Sequence, residues 1–201
     1  METLPGLGTC PTCIRCDMPV SKNDWLTQSE MEENATYIWQ QMGSQGWTME
    51  SVAAMLGNMQ SESTINPGIW QDLDEGNLDG GYGLVQWTPA SKYIDWANQH
   101  GYPIGDINGQ IDRINWELAN GAQWYPTSEY PLTFEEFKTS TQDPYYLAMA
   151  FINCYERPAD PDQPWRGEQA NEWYSFLGGI PPEPPTGRKG GMPIYMYLRF
   201  W

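Results

Sequence analysis

The sequence predicts a mostly helical α+β chain with one small β-hairpin element in its middle. Three observations carry that expectation. Apolar residues recur at i, i+3, i+4 and i+7 along most of the chain. Ser/Thr/Asp caps and proline starts punctuate those stripes. Residues 66–89 break the period, being rich in Gly, Asp and Asn around the apolar pair Leu84-Val85. With 201 residues, 40% hydrophobic and 14% aromatic, there is apolar material for one real core, which excludes wholesale disorder.

Residues 1–28 hold Pro5, Pro11, Pro19 and three cysteines without a helical period, and read as an N-terminal arm. Ser29-Glu30-Met31-Glu32 has the form of a capping box. Ala35, Ile38, Trp39 and Met42 follow as a stripe that Gly43 ends. A second helix starts after Thr48, with Val52, Met55, Leu56 and Met59 on one face, and Asn66-Pro67-Gly68 prevents its continuation. Segment 66–89 reads as a long loop or small hairpin, and loops of that length are usually functional. Thr88-Pro89 opens a third helix, with proline at its first position, that runs to about His100-Gly101. Asp106 caps a fourth with the stripe Ile107, Ile111, Ile114 and Leu118.

Thr133-Phe134-Glu135-Glu136 is a second capping box, before a short helix. Asp143-Pro144 opens an apolar helix through Leu147, Met149, Phe151 and Ile152 to about Tyr155, and a last helix spans about Pro164 to Leu177. Residues 29–178 thus form the domain. Residues 179–201 follow as a Pro/Gly-rich linker and an apolar, strand-like end, Ile194 to Trp201. Among the tryptophans, Trp39, Trp96, Trp116 and Trp173 read as core.

The charge excludes whole classes of function. Ten basic residues against 26 acidic ones leave a net charge of −16, which repels nucleic-acid phosphates and anionic membrane surfaces. No apolar run approaches the ~20 residues that span a bilayer. Met1 to Gly8 has neither a basic n-region nor an apolar h-region, so no secretory signal is expected. His100 is the only histidine and sits at a helix end, which disfavours a Ser-His-Asp triad or a histidine-rich metal site. Phosphate loops and dinucleotide fingerprints are absent.

Cys10, Cys13 and Cys16 have a spacing that suits one metal with Cys154 or His100 as fourth ligand. A structural zinc site usually shows two separated ligand pairs instead, so incidental thiols on an arm are the favoured reading. A disulfide within the arm, or from it to Cys154, stays open. No metal or other cofactor is expected.

Glu62 is the residue that asks for an explanation. It follows Met55 and Met59 at helical spacing, on the apolar face, and at the C-terminal end, where the macrodipole is negative. Desolvation and dipole both disfavour a carboxylate there, so its pKa is expected to rise. A carboxylic acid still protonated near neutral pH suits the leaving-group side of glycoside cleavage. The plainer alternative is a frayed end with Glu62 in water.

Glu62-Ser63-Thr64-Ile65-Asn66-Pro67, followed by Gly81-Tyr82-Gly83-Leu84-Val85-Gln86-Trp87, resembles the paired signatures of goose-type lysozymes and lytic transglycosylases. Ala150-Phe151-Ile152-Asn153-Cys154-Tyr155-Glu156-Arg157-Pro158 resembles their third element, without the Ala-Tyr-Asn-Ala-Gly run common in the transglycosylases. More closely, the stretch from about Gln28 to Leu177 resembles the phage tail lysozyme family. The resemblance implies a lysozyme-like fold and a glutamate, here Glu62, as the catalytic acid. It implies a hairpin wall along the sugar groove and a tyrosine, here Tyr155, near the acid. Asp79 stands where goose-type lysozymes carry an aspartate proposed to position water, and it ranks ahead of Asp72 and Asp74. Ser63, Tyr82, Gln86, Trp87 and Tyr155 are the expected substrate-binding residues.

The expected function is therefore cleavage of the β-1,4 bond between N-acetylmuramic acid and N-acetylglucosamine, on a phage tail tip acting on the bacterial wall. Peptidoglycan strands, and other tail proteins, are the expected partners. Hydrolysis is favoured over the transglycosylase alternative. A non-catalytic glycan-binding tail module and a conjugation-system lytic module are the other readings. Gram-positive walls are themselves anionic, so long-range attraction cannot bring this acidic domain to them, and a tail assembly, or salt, is expected to raise its effective concentration at the wall.

Overall fold

The computed structural model describes residues 19–178. Seven α-helices follow one another: α1 (Gln28–Ser44), α2 (Met49–Ser63), α3 (Ser91–His100), α4 (Ile107–Ala119), α5 (Phe134–Lys138), α6 (Pro144–Phe151) and α7 (Trp165–Leu177). A 3-10 turn at Gln71–Leu73 lies inside the long loop, and a π turn, Ile152–Glu156, extends α6. No helix among the described residues is long and apolar enough to cross a membrane.

Helix α2 is the axis of the fold, with α1, α6 and α7 packed against it. The sequence suggests one apolar stripe, yet Ser51 through Met59 are buried on every side. Ala53, Ala54 and Gly57 make this possible, because small residues let neighbouring helices approach. A Cβ on Gly57 would collide with the carbonyl oxygen of Arg166 and stand 2.8 Å from the Ala170 amide nitrogen, both in α7. Asn58 is the polar residue at this crowded centre, and it is satisfied. Its amide donates to the Ala54 and Ala148 carbonyls, at 3.0 and 3.1 Å, and its oxygen accepts from Arg166 at 3.3 Å.

Helix ends follow local chemistry, with two shifts from expectation. Helix α1 starts two residues early, because Thr27 rather than Ser29 is the N-cap and forms the reciprocal box with Glu30. Helix α3 begins at Ser91 after Ala90, so Pro89 precedes the helix rather than opening it. Thr48, Asp106, Thr133 and Asp143 cap α2, α4, α5 and α6 as expected. Residues 19–27 pack on the domain. Asn34 bonds both the amide and carbonyl of Val20, while Asn66 donates to the Lys22 and Asp24 carbonyls at 2.7 Å. The three arm cysteines and the Pro-rich end lie outside the described residues.

Among the described residues the expected hairpin does not become a strand pair. Two isolated antiparallel bridges join Trp70 to Tyr82 and Tyr82 to Trp87. The chain coils instead, with positive φ at Gly83 (77°) and Gln86 (47°). Side-chain amides take over the ladder's work: Gln110 accepts from the Leu84 amide at 2.7 Å, and Gln71 accepts from the Gly81 amide at 2.8 Å. Gly83 is needed here, since its φ favours glycine and a Cβ would stand 2.6 Å from the Gln110 amide group. Trp39, Trp96 and Trp173 are buried, but Trp116 is 37% exposed, with the Arg113 guanidinium 4.5 Å above its ring.

Candidate active site

A polar cleft of about 440 Å³ opens between the end of α2, the coiled segment 85–88 and the π turn. Glu62, Gln86, Trp87, Tyr155 and Glu156 line it, with Gln71, Lys92 and Arg157 nearby in the same wall. Of the residues singled out in the sequence, Glu62, Gln86, Trp87 and Tyr155 are brought together in this lining.

Glu62 sits on the last turn of α2, where its side chain is 21% exposed. The helix therefore has not frayed, and the side chain is neither wholly wet nor wholly buried. Arg166 holds it by an ion pair of 2.7 Å, so the carboxyl is not the isolated group that helical spacing suggested. Arg166 is itself buried in the first turn of α7, where its Nε donates to Gln163 at 2.7 Å. Gly57 is what allows α7 to approach this closely. After Ser63 the chain turns through two left-handed residues, Thr64 (φ 53°) and Ile65 (φ 56°). A β-branched residue such as Ile65 adopts that conformation only at a cost, and such strain gathers near functional sites.

Ser63 is wholly buried and lies outside the cleft lining. Its hydroxyl donates to the Met59 and Leu84 carbonyls, at 3.0 and 2.9 Å, tying the end of α2 to the glycine-rich coil. Tyr82 is 2% exposed and packs in the core, stacked on Tyr93 and edge-on to Trp70. Burial pushes the Tyr82 and Tyr93 hydroxyls far above the ordinary phenol range. Gln86 donates to the Gly83 carbonyl at 3.1 Å, and Gly81 leaves space for it, because a Cβ there would meet the Gln86 side-chain oxygen at 2.6 Å. Asp79 is exposed on the 71–80 loop, outside the cleft lining, with its amide donating to Asn77. Asp72 and Asp74 are exposed on the same loop.

Behind the wall stands Glu117, buried on α4. Its carboxyl accepts from the Trp87 indole at 3.1 Å, from Arg113 Nε at 3.0 Å, and from the Tyr155 hydroxyl. One carboxyl thus fixes both aromatic residues of the cleft. Burial pushes its pKa up, while Tyr155, Arg113 and Trp87 pull against that. Sequence reasoning missed Glu117, although it follows Ile114 by three residues and so shares the apolar face of α4. Arg166 and Glu156 were missed as well. Glu156 follows Ile152 by four, but the π turn, not an α-helical period, sets where it points.

No group of three or more His, Cys, Asp or Glu side chains among the described residues is arranged to hold a metal ion. Cys154 is buried, its thiol donating toward the Tyr130 carbonyl.

A helical core with a carboxyl-bearing polar cleft at the end of its central helix is consistent with a lysozyme-like fold. The family model for phage tail lysozymes matches residues 33–177, and the chain belongs to that family. It is also 51% identical over 159 residues to Morphogenesis protein 1 of Bacillus phage B103, covering 79% of this chain. The aligned stretch is 43% of that relative's length, so the chain corresponds to less than half of it.

Proposed function

We propose that this chain cleaves peptidoglycan glycan strands at the β-1,4 bond between N-acetylmuramic acid and N-acetylglucosamine, with Glu62 as general acid. The observation that carries the reading is the placement of Glu62 on the last turn of a buried helix, in a polar cleft walled by Gln86, Trp87 and Tyr155. Trp87 and Tyr155 are 4% and 1% exposed and form the floor of the cleft, while the half-buried Gln86 offers amide groups to hydroxyl or acetamido substituents. Ser63 and Tyr82 support the wall from behind. Family membership and the phage relative favour a virion-associated protein over a conjugation-system module.

Hydrolysis needs a water held opposite the acid, and inverting glycosidases hold it with a second carboxylate roughly 6.5–9.5 Å away. Asp79 is our candidate for that role, with the substrate acetamido group as the alternative helper. Its exposure outside the cleft lining favours a second reading, a transglycosylase working with Glu62 alone. Digestion of purified peptidoglycan, read by mass spectrometry of the fragments, separates the two. Hydrolysis leaves reducing muramic acid ends, whereas transglycosylation leaves anhydro ends lighter by one water. Full activity in Asp79→Asn together with anhydro ends removes Asp79 from the reaction.

A further inference from the structure

Glu156 closes the π turn and lines the same cleft as Glu62. Its Oε1 is buried and has no hydrogen-bond partner, an arrangement that costs stability and that native cores avoid. An under-satisfied carboxyl oxygen beside a catalytic acid is a candidate for proton handling. The Arg166 guanidinium, whose Nη1 pairs with Glu62 at 2.7 Å and Asn58 at 3.3 Å, acts on Glu156 through its charge.

The groups that act on Glu156 come from several elements. Glu62 faces it from α2, Arg166 from α7 and Glu117 from α4, while Arg157 and Tyr155 flank it on its own segment. Lys92 of α3 lines the same cleft. Burial is the main reason the Glu156 carboxyl is held well above the ordinary range, and the Glu62 charge adds to it; Arg166 and Arg157 oppose both. Two carboxyls lining one cleft repel each other when both are ionised.

Resting on the reading of Glu62 as the acid, we propose that Glu62 and Glu156 hold one proton between them in the cleft, with Arg166 steadying the anionic partner. Glu156 passes its proton to the Glu62 carboxylate when substrate displaces the Arg166 pairing. Glu62 then gives that proton to the glycosidic oxygen, and the bond from the anomeric carbon breaks with its electron pair on the leaving oxygen. The oxygen of water, or of the muramic acid 6-hydroxyl, bonds the anomeric carbon and releases its proton to the Glu62 carboxylate, from which Glu156 is reprotonated. Glu156 acts through Glu62 and is a positioning residue. The arrangement lets an arginine hold the acid in place without leaving it without a proton.

Two measurements on the full chain test this. In pH–rate profiles on purified peptidoglycan, Glu156→Gln is expected to fold and to lose about 10- to 100-fold in rate. Its alkaline limb should move to lower pH by about one unit or more, because Glu62 then faces Arg166 without a proton store. Glu156→Asp should return part of that limb. An unmoved alkaline limb, whether activity is full or uniformly reduced, overturns the proposal. Carbon-13 titration of the glutamate side-chain carboxyls gives a readout free of catalysis. One high-titrating resonance, lost in Glu156→Gln, should move to lower pH in Glu62→Gln, and a resonance that stays in place overturns the proposal. An inactive wild type would remove the reading of Glu62 as acid, while the titration would still judge the shared proton.

Discussion

Two glutamates stand beside one cleft, and the protein treats them in opposite ways. Glu117 receives three donors, from Trp87, Arg113 and Tyr155, and its oxygens are occupied. Glu156 keeps a buried oxygen with no partner. Both are desolvated, so burial alone does not tell a structural carboxyl from a chemical one. The number of donors does. A satisfied carboxyl rigidifies its neighbours and is difficult to use, whereas an under-satisfied one stores a proton at the expense of stability. Glu62 stands between these extremes, half-satisfied by one guanidinium and open to the cleft.

The sharpest way to break the comparison is to remove Glu117. Glu117→Ala leaves the buried Tyr155 hydroxyl, the Trp87 indole and the Arg113 guanidinium without their acceptor, and should cost about 3–5 kcal/mol of folding stability. Thermal unfolding would show a large fall in Tm. If the fall in Tm is no larger than for Glu156→Gln, the donor count does not distinguish the two residues.

The next effect is expected from the backbone that delivers Arg166. Gly57→Ala puts a methyl group against the Arg166 carbonyl and the Ala170 amide, neither of which can move without shifting α7. Overpacking of this kind costs about 1–3 kcal/mol, partly offset by alanine's better helix propensity. Because Glu62 loses its partner as α7 shifts, activity should fall more than at a distant site of equal destabilisation. Denaturant unfolding paired with a strand-cleavage assay checks both halves.

A smaller change is expected at the substrate-facing wall. Gln86→Ala removes a polar group without touching the carboxyls, so KM should rise several-fold with kcat little changed. Equal loss in kcat would instead assign Gln86 to the transition state.

The smallest effect concerns Glu30, far from the cleft. Its hydrogen bond from Lys22, at 2.7 Å, is the main reason its carboxyl is pushed down to about 2 from 4.5, with the Thr27 amide adding to it. A depressed carboxyl contributes stability above its unfolded value, and that contribution fades as pH falls from about 4.5 toward 2. Lys22→Ala should therefore lower stability slightly at pH 7 and make little difference at pH 2, as urea unfolding at the two pH values would show.

Helix placement was legible from apolar spacing and caps, because both are local. Thr48, Asp106 and Thr133 cap where their side chains predict, and one carboxyl of the cleft, Glu62, is visible at the end of an apolar run. The coil at 81–87 was not legible as such, since its backbone partners are the side chains of Gln71 and Gln110, remote in sequence. Arg166 was hidden for a similar reason: it reaches Glu62 only because Gly57 and Ala170 let α2 and α7 touch. Glu156 depends on a single π turn, which shifts every following side chain off the α-helical period. Tyr82 lies in the core, and an aromatic between two glycines suits a sugar wall and a core equally well.

The proposed role of Glu62 is to protonate the leaving oxygen. Its most direct test is mass spectrometry of fragments released from purified peptidoglycan by wild type and by Glu62→Gln, with thermal unfolding alongside to show that the variant is folded. Loss of a general acid typically costs 10²–10⁴-fold. Wild type should release disaccharide-peptide fragments, and folded Glu62→Gln should release at least about 100-fold less in the same time. Glu62→Gln releasing the same fragments at a rate near wild type would contradict it.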